Sequence, residues 1–374
     1  MEVVIVEGTD PFSPGIGGGA NYSVNLLQYL LKTGVCTVFI GASSSNSQRT
    51  QAGLVFIPVT NNMRLSNLGY VLKLVTSGSF NKVPPGAIVN VQRPEYALPF
   101  VLFCHRNPKV ITLHGRILYG VRLKQPRVKA ILYRMVEWLC LRRCAAVIAV
   151  DEGTRDFYER EYPWLATKVH VIPIGIDLAR FRVMDRNALR AKWGFGDGER
   201  IVMFVGRLEV EKDLGFLIDS FRIVLRQVPN ARLVLVGDGR ERGRLEDMAK
   251  DLTPDRVLFM GAQTPDSMPE ILNCADVLVL CSLYEGSPTT IKEALACGVP
   301  VVTAPVGDVA QIIRNNMVGR IVPKDIDQYS RAIVEFLSKE EQESTRRECV
   351  KAASEFGFDQ IGAQTVKVYE DLLS

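Results

Sequence analysis

Residues 282–303, SLYEGSPTTIKEALACGVPVVT, decide how the rest of the chain is read. The stretch has three parts. A loop carries Tyr284, Glu285, Gly286 and Ser287. A short helix follows, opened by Pro288, whose missing N–H would be unpaired in a first turn anyway. Cys297-Gly298 ends that helix at a residue suited to the left-handed stop, and Val299-Pro300-Val301-Val302 starts a strand. The helix start, with Thr289 and Thr290, presents backbone N–H groups next to the loop, an arrangement that binds anions and suits phosphate. Glu285 and Glu293 flank it, eight positions apart. Carboxylates have no use against a phosphate, but they accept hydrogen bonds from hydroxyls. Phosphate with hydroxyls on either side describes a nucleotide-sugar.

Working outward, the same strand-helix alternation fills the chain. Val3-Val4-Ile5-Val6 is a short apolar run, and Gly17-Gly18-Gly19 separates it from a helix expected over 20–31, with Val24, Leu27, Leu30 and Leu31 on one face. Strand, glycine loop, helix is the opening of a doubly wound sheet. The glycines let backbone approach a ligand, although the GxGxxG dinucleotide pattern is absent. Further strands are expected at 37–40, 54–58, 87–91, 109–113, 145–150 and 169–173. A charged segment follows Phe181, and a fresh series starts at Ile201. The break near 178–185 predicts two doubly wound α/β domains, 1–180 and 181–358, with a cleft between them. The last helix, 359–373, is amphipathic.

Composition bounds the function. The chain has 374 residues, 47% hydrophobic and 23% charged, which fits two globular domains. No apolar run reaches transmembrane length, and the chain opens directly on a strand, so no signal peptide is expected. Eight cysteines without CxxC pairs read as reduced thiols and a cytoplasmic setting. Three histidines, His105, His114 and His170, make a His-rich metal site unexpected. Residues 1–178 hold 19 Lys+Arg against 11 Asp+Glu, and the remainder 26 against 30. The basic first half suggests an anionic partner: a phosphorylated acceptor, an anionic membrane surface or nucleic acid. Unweighted scatter of charge on a globular domain is the plain alternative.

In open α/β sheets, ligands bind beyond the carboxyl ends of strands. Arg93, His114 and Arg116 stand at such ends in the first half, and Glu95 lies beside Arg93. Arg93 with Glu95 reads equally as a local ion pair. In the second half, Arg207 and Lys212 follow the strand 201–206, and Gly237 and Gly261 close the next two strands. Two cations there can hold a diphosphate, Arg bidentately and Lys as a point charge. Residues 122–143, RLKQPRVKAILYRMVEWLCLRR, read as one helix with a basic face. Val128, Ile131, Leu132, Met135, Val136 and Leu139 recur at helical spacing as its core stripe. The basic face is either a contact for anionic lipid headgroups or, in the favoured reading, the solvated side of a crossover helix.

These motifs resemble a retaining glycosyltransferase of the GT-B fold, in the large glycosyltransferase family four. GGGANYS, TLHG, VIAVDEGTRDFY, VIPIGID, GRLEVEKD, LVLVGDG and EGSPTTIKEALACGVPVV carry the resemblance over nearly the whole chain. It implies that Arg207 and Lys212 bind the phosphates of a nucleotide-diphosphate sugar, UDP- or GDP-linked. Glu285 would bind sugar hydroxyls and Glu293 the ribose. Gly286, Ser287, Pro288, Thr289 and Thr290 would hold the distal phosphate, with Gly237 and Gly261 also lining the donor. Gly18 and Gly19 would close over the diphosphate, His114 would face the transferred sugar, and the final helix would return to the first domain. Arg93 and Arg116 are the acceptor candidates. No metal and no cofactor are expected, and no nucleic acid, because that would leave the two glutamates unexplained. The acceptor is expected to be a sugar, or a lipid-linked or phosphorylated molecule. Ile174 replaces the usual Asn of VIPIGID, and Asp308 and Ala310 replace the usual Gly and Pro-Glu residues, which bears on the donor loop. A phosphorylase or epimerase of the same fold, and a non-catalytic nucleotide-sugar-binding subunit, are the alternatives.

Overall fold

The computed structural model describes residues 1–12, 18–45, 47–62, 65–196, 198–252, 256–338 and 343–374. The chain divides into two units. The first holds Met1–Gly175 and Phe358–Ser374, and the second holds Ile176–Gly357.

The first unit is built on β1 (Glu2–Val6), β2 (Cys36–Ala42), β3 (Arg49–Gln51), β4 (Leu54–Thr60), β5 (Ile88–Val91), β6 (Lys109–Leu113), β7 (Ala146–Ala149) and β8 (Val169–Val171). Their order is β3-β4-β2-β1-β5-β6-β7-β8, parallel except for the β3–β4 pair. Side chains alternate across the pleat, so β1 feeds two cores. Val4 and Val6 join Tyr70, Phe100, Leu141 and Tyr158 on one face. Val3 and Ile5 join Leu26, Leu30, Ile361 and Tyr369 on the other. The helices are α1 (Gly18–Lys32), α2 (Asn67–Thr76), α3 (Leu98–Phe103), α4 (Ile117–Lys124), α5 (Arg127–Arg143) and α6 (Glu152–Glu161). A terminal helix, α15 (Phe358–Asp371), packs against α1.

The second unit carries β9 (Arg200–Val205), β10 (Ala231–Val236), β11 (Val257–Gly261), β12 (Val277–Leu280), β13 (Val301–Thr303) and β14 (Gly319–Ile321). The order is β11-β10-β9-β12-β13-β14, all parallel. Its helices are α7 (Arg186–Trp193), α8 (Leu214–Gln227), α9 (Arg242–Met248), α10 (Met268–Asn273), α11 (Thr289–Ala296), α12 (Val309–Ile312), α13 (Ile326–Ser338) and α14 (Glu343–Ser354). Runs such as RIVMFV and ARLVLV are buried on both faces, as parallel strands between helices must be.

Two expectations for 122–143 are corrected. It is not one helix: α4 ends at Lys124, Gln125 is extended, and α5 starts after Pro126. The proline ring pushes its predecessor out of the helical region. Nor is the apolar stripe the core face. Val128, Ile131, Leu132 and Met135 are exposed, while Glu137, Cys140 and Leu141 face inward. The inward position of Glu137 is stabilised by the Tyr158 and Tyr162 hydroxyls, each donating to its carboxyl at 3.0 Å. No helix among the described residues is long and apolar enough to cross a membrane.

Candidate functional site

In the second unit the strand ends gather the predicted donor residues. Three glycines terminate β9, β10 and β11 side by side: Gly206 N donates to Val236 O at 3.0 Å, and Gly237 N to Gly261 O at 2.8 Å. Gly237 has φ 133°, and a Cβ there would lie 1.9 Å from Gly206 O. Backbone crowding therefore demands glycine at 237 whatever else that position does.

Arg207 projects from this edge, 60% exposed and 3.4 Å from Glu211. Lys212 reaches across to the loop after β12, where its ammonium donates to Glu285 Oε1. Ser282 Oγ donates to the same oxygen at 2.6 Å, and Leu283 N to Glu211 O at 2.8 Å. The predicted phosphate cation and the predicted sugar carboxylate are thus partners in one half-buried pair.

α11 begins at Thr289, with Pro288 at its N-cap, no side-chain cap and no acid in its first turn. Its first-turn N–H groups therefore have no side-chain cap, and the positive end of the helix carries no neutralising acid of its own. Glu293 lies one turn on. Burial pushes its carboxyl up to about 7, against the pull of the Arg180 charge.

The loop before α11 is tied down from inside. Lys292 and Asp308 are both fully buried and 3.0 Å apart. Lys292 Nζ also donates to Ser287 Oγ at 2.5 Å and lies 4.5 Å from the Phe356 ring centre, while Ser287 Oγ donates to Asp308 Oδ2 at 2.6 Å. Asp308 N donates to Gly286 O at 3.1 Å. Gly307 has φ 54°, and a Cβ there would lie 1.8 Å from that carbonyl. Asp308, noted as a departure from the usual pattern, is the counter-charge of Lys292. Sequence reasoning missed this pairing, although a lysine among Ile291, Ala294 and Leu295 was the visible signal.

In the first unit, Gly18 and Gly19 are the first turn of α1 rather than a preceding loop. Gly17 lies outside the described residues. Gly19 sits over His114: a Cβ on it would be 3.9 Å from the imidazole Cδ2. Tyr22 packs edge-on against the same ring at 5.0 Å. His114 Nε2 pairs with Gln92 Oε1 at 2.9 Å, and Gln92 Nε2 donates to Asn90 Oδ1 at 2.7 Å. Asn90 Nδ2 in turn donates to the Tyr369 hydroxyl at 2.5 Å, from α15. That chain gives the imidazole an Nε2–H and leaves Nδ1 as an acceptor, buried and without a partner among the described residues. Burial, helped by the Arg93 charge, pushes His114 down to about 4, so it is neutral at pH 7. Sequence reasoning missed Gln92, Asn90 and Tyr369, although Gln92 stands at the same strand end as Arg93.

The acceptor candidates do not converge as cleanly. Arg93 Nε donates to Glu95 Oε1 at 3.0 Å, and the Tyr133 hydroxyl donates to Glu95 Oε2 at 3.0 Å, so this pair ties the segment after β5 to α5. Glu7, after β1, is pushed up to about 7 by burial, opposed by Arg93. Arg116 is exposed, its guanidinium beside Gly153. Among the described residues no three His, Cys, Asp or Glu side chains cluster as metal ligands.

Two family models cover the chain in succession: Glycosyltransferase Family 4 over residues 16–180 and Glycosyl transferases group 1 over residues 185–356. An uncharacterized glycosyltransferase of Methanocaldococcus jannaschii is 30% identical over 246 residues, which are 63% of this chain and 62% of that relative's length. The fold matches sucrose-phosphate synthase from Thermosynechococcus elongatus with TM-score 0.81 at 21% identity, over 100% of this chain and 99% of that one. It also matches an Anabaena protein solved in complex with UDP-glucose, with TM-score 0.77 at 18% identity over 99% and 100%.

Proposed function

The chain belongs to the group 1 glycosyl transferases, with their two Rossmann-like GT-B domains, and from that premise we propose that it transfers a hexose-type sugar from a nucleotide-diphosphate sugar to an acceptor hydroxyl. The observation that carries this is the meeting of Lys212, Glu285 and the uncapped start of α11 at one edge of one sheet. In the proposed reaction the bond from the anomeric carbon to the phosphate oxygen breaks, and its electron pair stays on the diphosphate. Arg207, Lys212 and the α11 dipole stabilise that growing charge. Lys212 passes from Glu285 to phosphate as donor binds, which frees Glu285 to accept from sugar hydroxyls. Glu293 takes the ribose. Neutral His114 offers Nδ1 to a hydroxyl of the transferred sugar. The acceptor oxygen bonds to the anomeric carbon on the departing face, its proton goes to the leaving phosphate, and configuration is retained.

The donor proposed first is a UDP-sugar, in line with the Anabaena complex, with GDP-sugars as the second class. With two cations and a helix N-terminus supplying positive charge, transfer is proposed to be independent of divalent metal. Arg93 and Arg116 remain the acceptor-side proposals, and the acceptor is proposed to be phosphate-bearing or lipid-linked, met at the cytoplasmic side of an anionic membrane. The test is transfer or hydrolysis with labelled UDP-, GDP- and ADP-sugars, with and without EDTA. Activity should persist in EDTA and vanish in Lys212→Ala and in Glu285→Ala. The right donor at a thousand times its Kd should stabilise the fold by about 4 kcal/mol. Full activity in both variants would sink the assignment, and inverted product stereochemistry would sink the retaining step.

A further inference from the structure

The outward face of α5 has the wrong polarity for a helix that ends at water. At roughly 100° per residue, Val128, Ile131, Leu132, Met135 and Trp138 fall within about 120° of arc. Leu139 in the same arc is partly buried against the core, and the exposed Arg142 stands in it at the last turn, its guanidinium over the Trp164 ring. Val128 is 78% exposed, Ile131 62%, Leu132 57%, Met135 63% and Trp138 48%. The opposite arc holds Glu137, Cys140 and Leu141, all buried. Cations border the apolar stripe on both sides. Arg127 and Arg134 lie along one edge, Lys129 and Arg143 along the other, all exposed. The neighbouring helices add to the apolar area: α3 and α4 pack against α5 and expose Leu102, Phe103 and Tyr119.

The charge on this surface is as one-sided as its shape. From residue 11 to residue 150 the chain has 16 Lys and Arg but two carboxylates, Glu95 and Glu137. Both are buried and hydrogen-bonded within the unit. Among the described residues, Glu161 of α6 pairs with cations of α4 and α5, holding Arg122 at 2.7 Å and lying 3.5 Å from Arg134.

We infer that α5 is an in-plane docking helix for an anionic lipid bilayer. Its apolar stripe enters the acyl boundary, Arg127, Lys129, Arg134 and Arg143 meet headgroup phosphates, and Trp138 lies at the interface with its ring in the apolar layer. This deepens the membrane contact proposed above and is independent of the donor assignment. A second copy of the chain is a poorer occupant. A two-fold contact sets each patch against itself, and would bring like cations together with no exposed carboxylate from residues 11–150 to meet them. Single exposed apolar side chains are ordinary, but a stripe of five flanked by cations marks an interaction surface.

The test uses the full chain with vesicles of phosphatidylglycerol and phosphatidylcholine, and with phosphatidylcholine alone. Wild type should float with the anionic vesicles, less at high salt, and little with the neutral ones. Ile131→Asn/Met135→Asn should lower partitioning by roughly tenfold or more, and Arg127→Gln/Lys129→Gln/Arg143→Gln should lower it and flatten the salt dependence. Tryptophan emission should shift to the blue on binding in wild type but not in Trp138→Phe. Transfer to a water-soluble acceptor should be unchanged in the Ile131→Asn/Met135→Asn variant. A failed donor assignment would show differently, as undiminished transfer in Lys212→Ala with flotation intact. The inference is overturned by wild type that floats with neither vesicle, or by flotation unchanged in Ile131→Asn/Met135→Asn. It is also overturned by a wild-type dimer that becomes a monomer in that variant without any vesicle binding, which assigns the stripe to a second copy.

Discussion

Replacing Lys292 with Met places a large, uncharged side chain beside a buried carboxylate, and the cost can be worked from the structure. Both side chains of the Lys292–Asp308 pair are 0% exposed and their charged atoms are 3.0 Å apart. At an effective dielectric of about 20 their attraction is on the order of 5 kcal/mol. Taking the two ions out of water costs several kcal/mol each, so the pair as a whole adds little over an apolar pair, while breaking it on one side costs about 3–5 kcal/mol. Lys292→Met and Asp308→Asn should each destabilise the second unit by that amount. The double variant should cost about as much as either alone, which makes the coupling between the two about 3–5 kcal/mol, the size of one single cost. Trp193 is the tryptophan of that unit, so urea unfolding followed by its fluorescence in a Trp138→Phe/Trp164→Phe background reads the right transition. Because Lys292 and Asp308 also hold the Ser287 hydroxyl, the double variant should refold its core yet bind donor less tightly, with KM raised about tenfold by the loosened loop. Additive single costs, or a double variant with unchanged KM, would refute the reasoning.

Two further outcomes concern protons. His114 should titrate near 4 by NMR, and the pH–rate profile should lack a histidine limb near its ordinary value. Since its folded pKa is depressed, the unfolded chain binds the proton first as pH falls. Stability should therefore decline from about pH 6.5 to pH 4, and His114→Phe should remove that slope. Glu137 is the opposite case. Burial raises it to about 7, so its contribution is present below its unfolded value and lost as pH rises through 7. Glu137→Gln should be nearly neutral at about pH 5 and stabilising at about pH 8, by no more than about 3 kcal/mol, in paired urea titrations. Equal effects at both pH values would show that the carboxyl is already ionised when buried.

Much of the local structure of the proposed donor side was legible in the chain, and the reason is local. A helix start, its proline and its glycine stop lie within a dozen residues, and each has a conformational signature independent of the fold. Arg207, Lys212, His114 and Arg93 could be singled out because strand ends are where α/β sheets place chemistry. What these residues touch was not legible. Lys212 and Glu285 are 73 positions apart, Asn90 and Tyr369 279 apart, and no periodicity connects them. Arg93 was read evenly as ligand group or ion-pair partner, and its contact with Glu95 is present.

The sequence by itself determined the α/β class, because alternating apolar runs and 3.6-residue periods leave few other ways to bury that surface. It also singled out the edge at which phosphate binding is proposed. Only the tertiary structure decided which arc of α5 meets the core, which tautomer His114 holds, and why Asp308 stands where it does. A hydrophobic period marks a stripe on a helix but not the direction in which it points. A titratable side chain likewise shows its type in sequence, while its charge state is set by neighbours that folding alone brings to it.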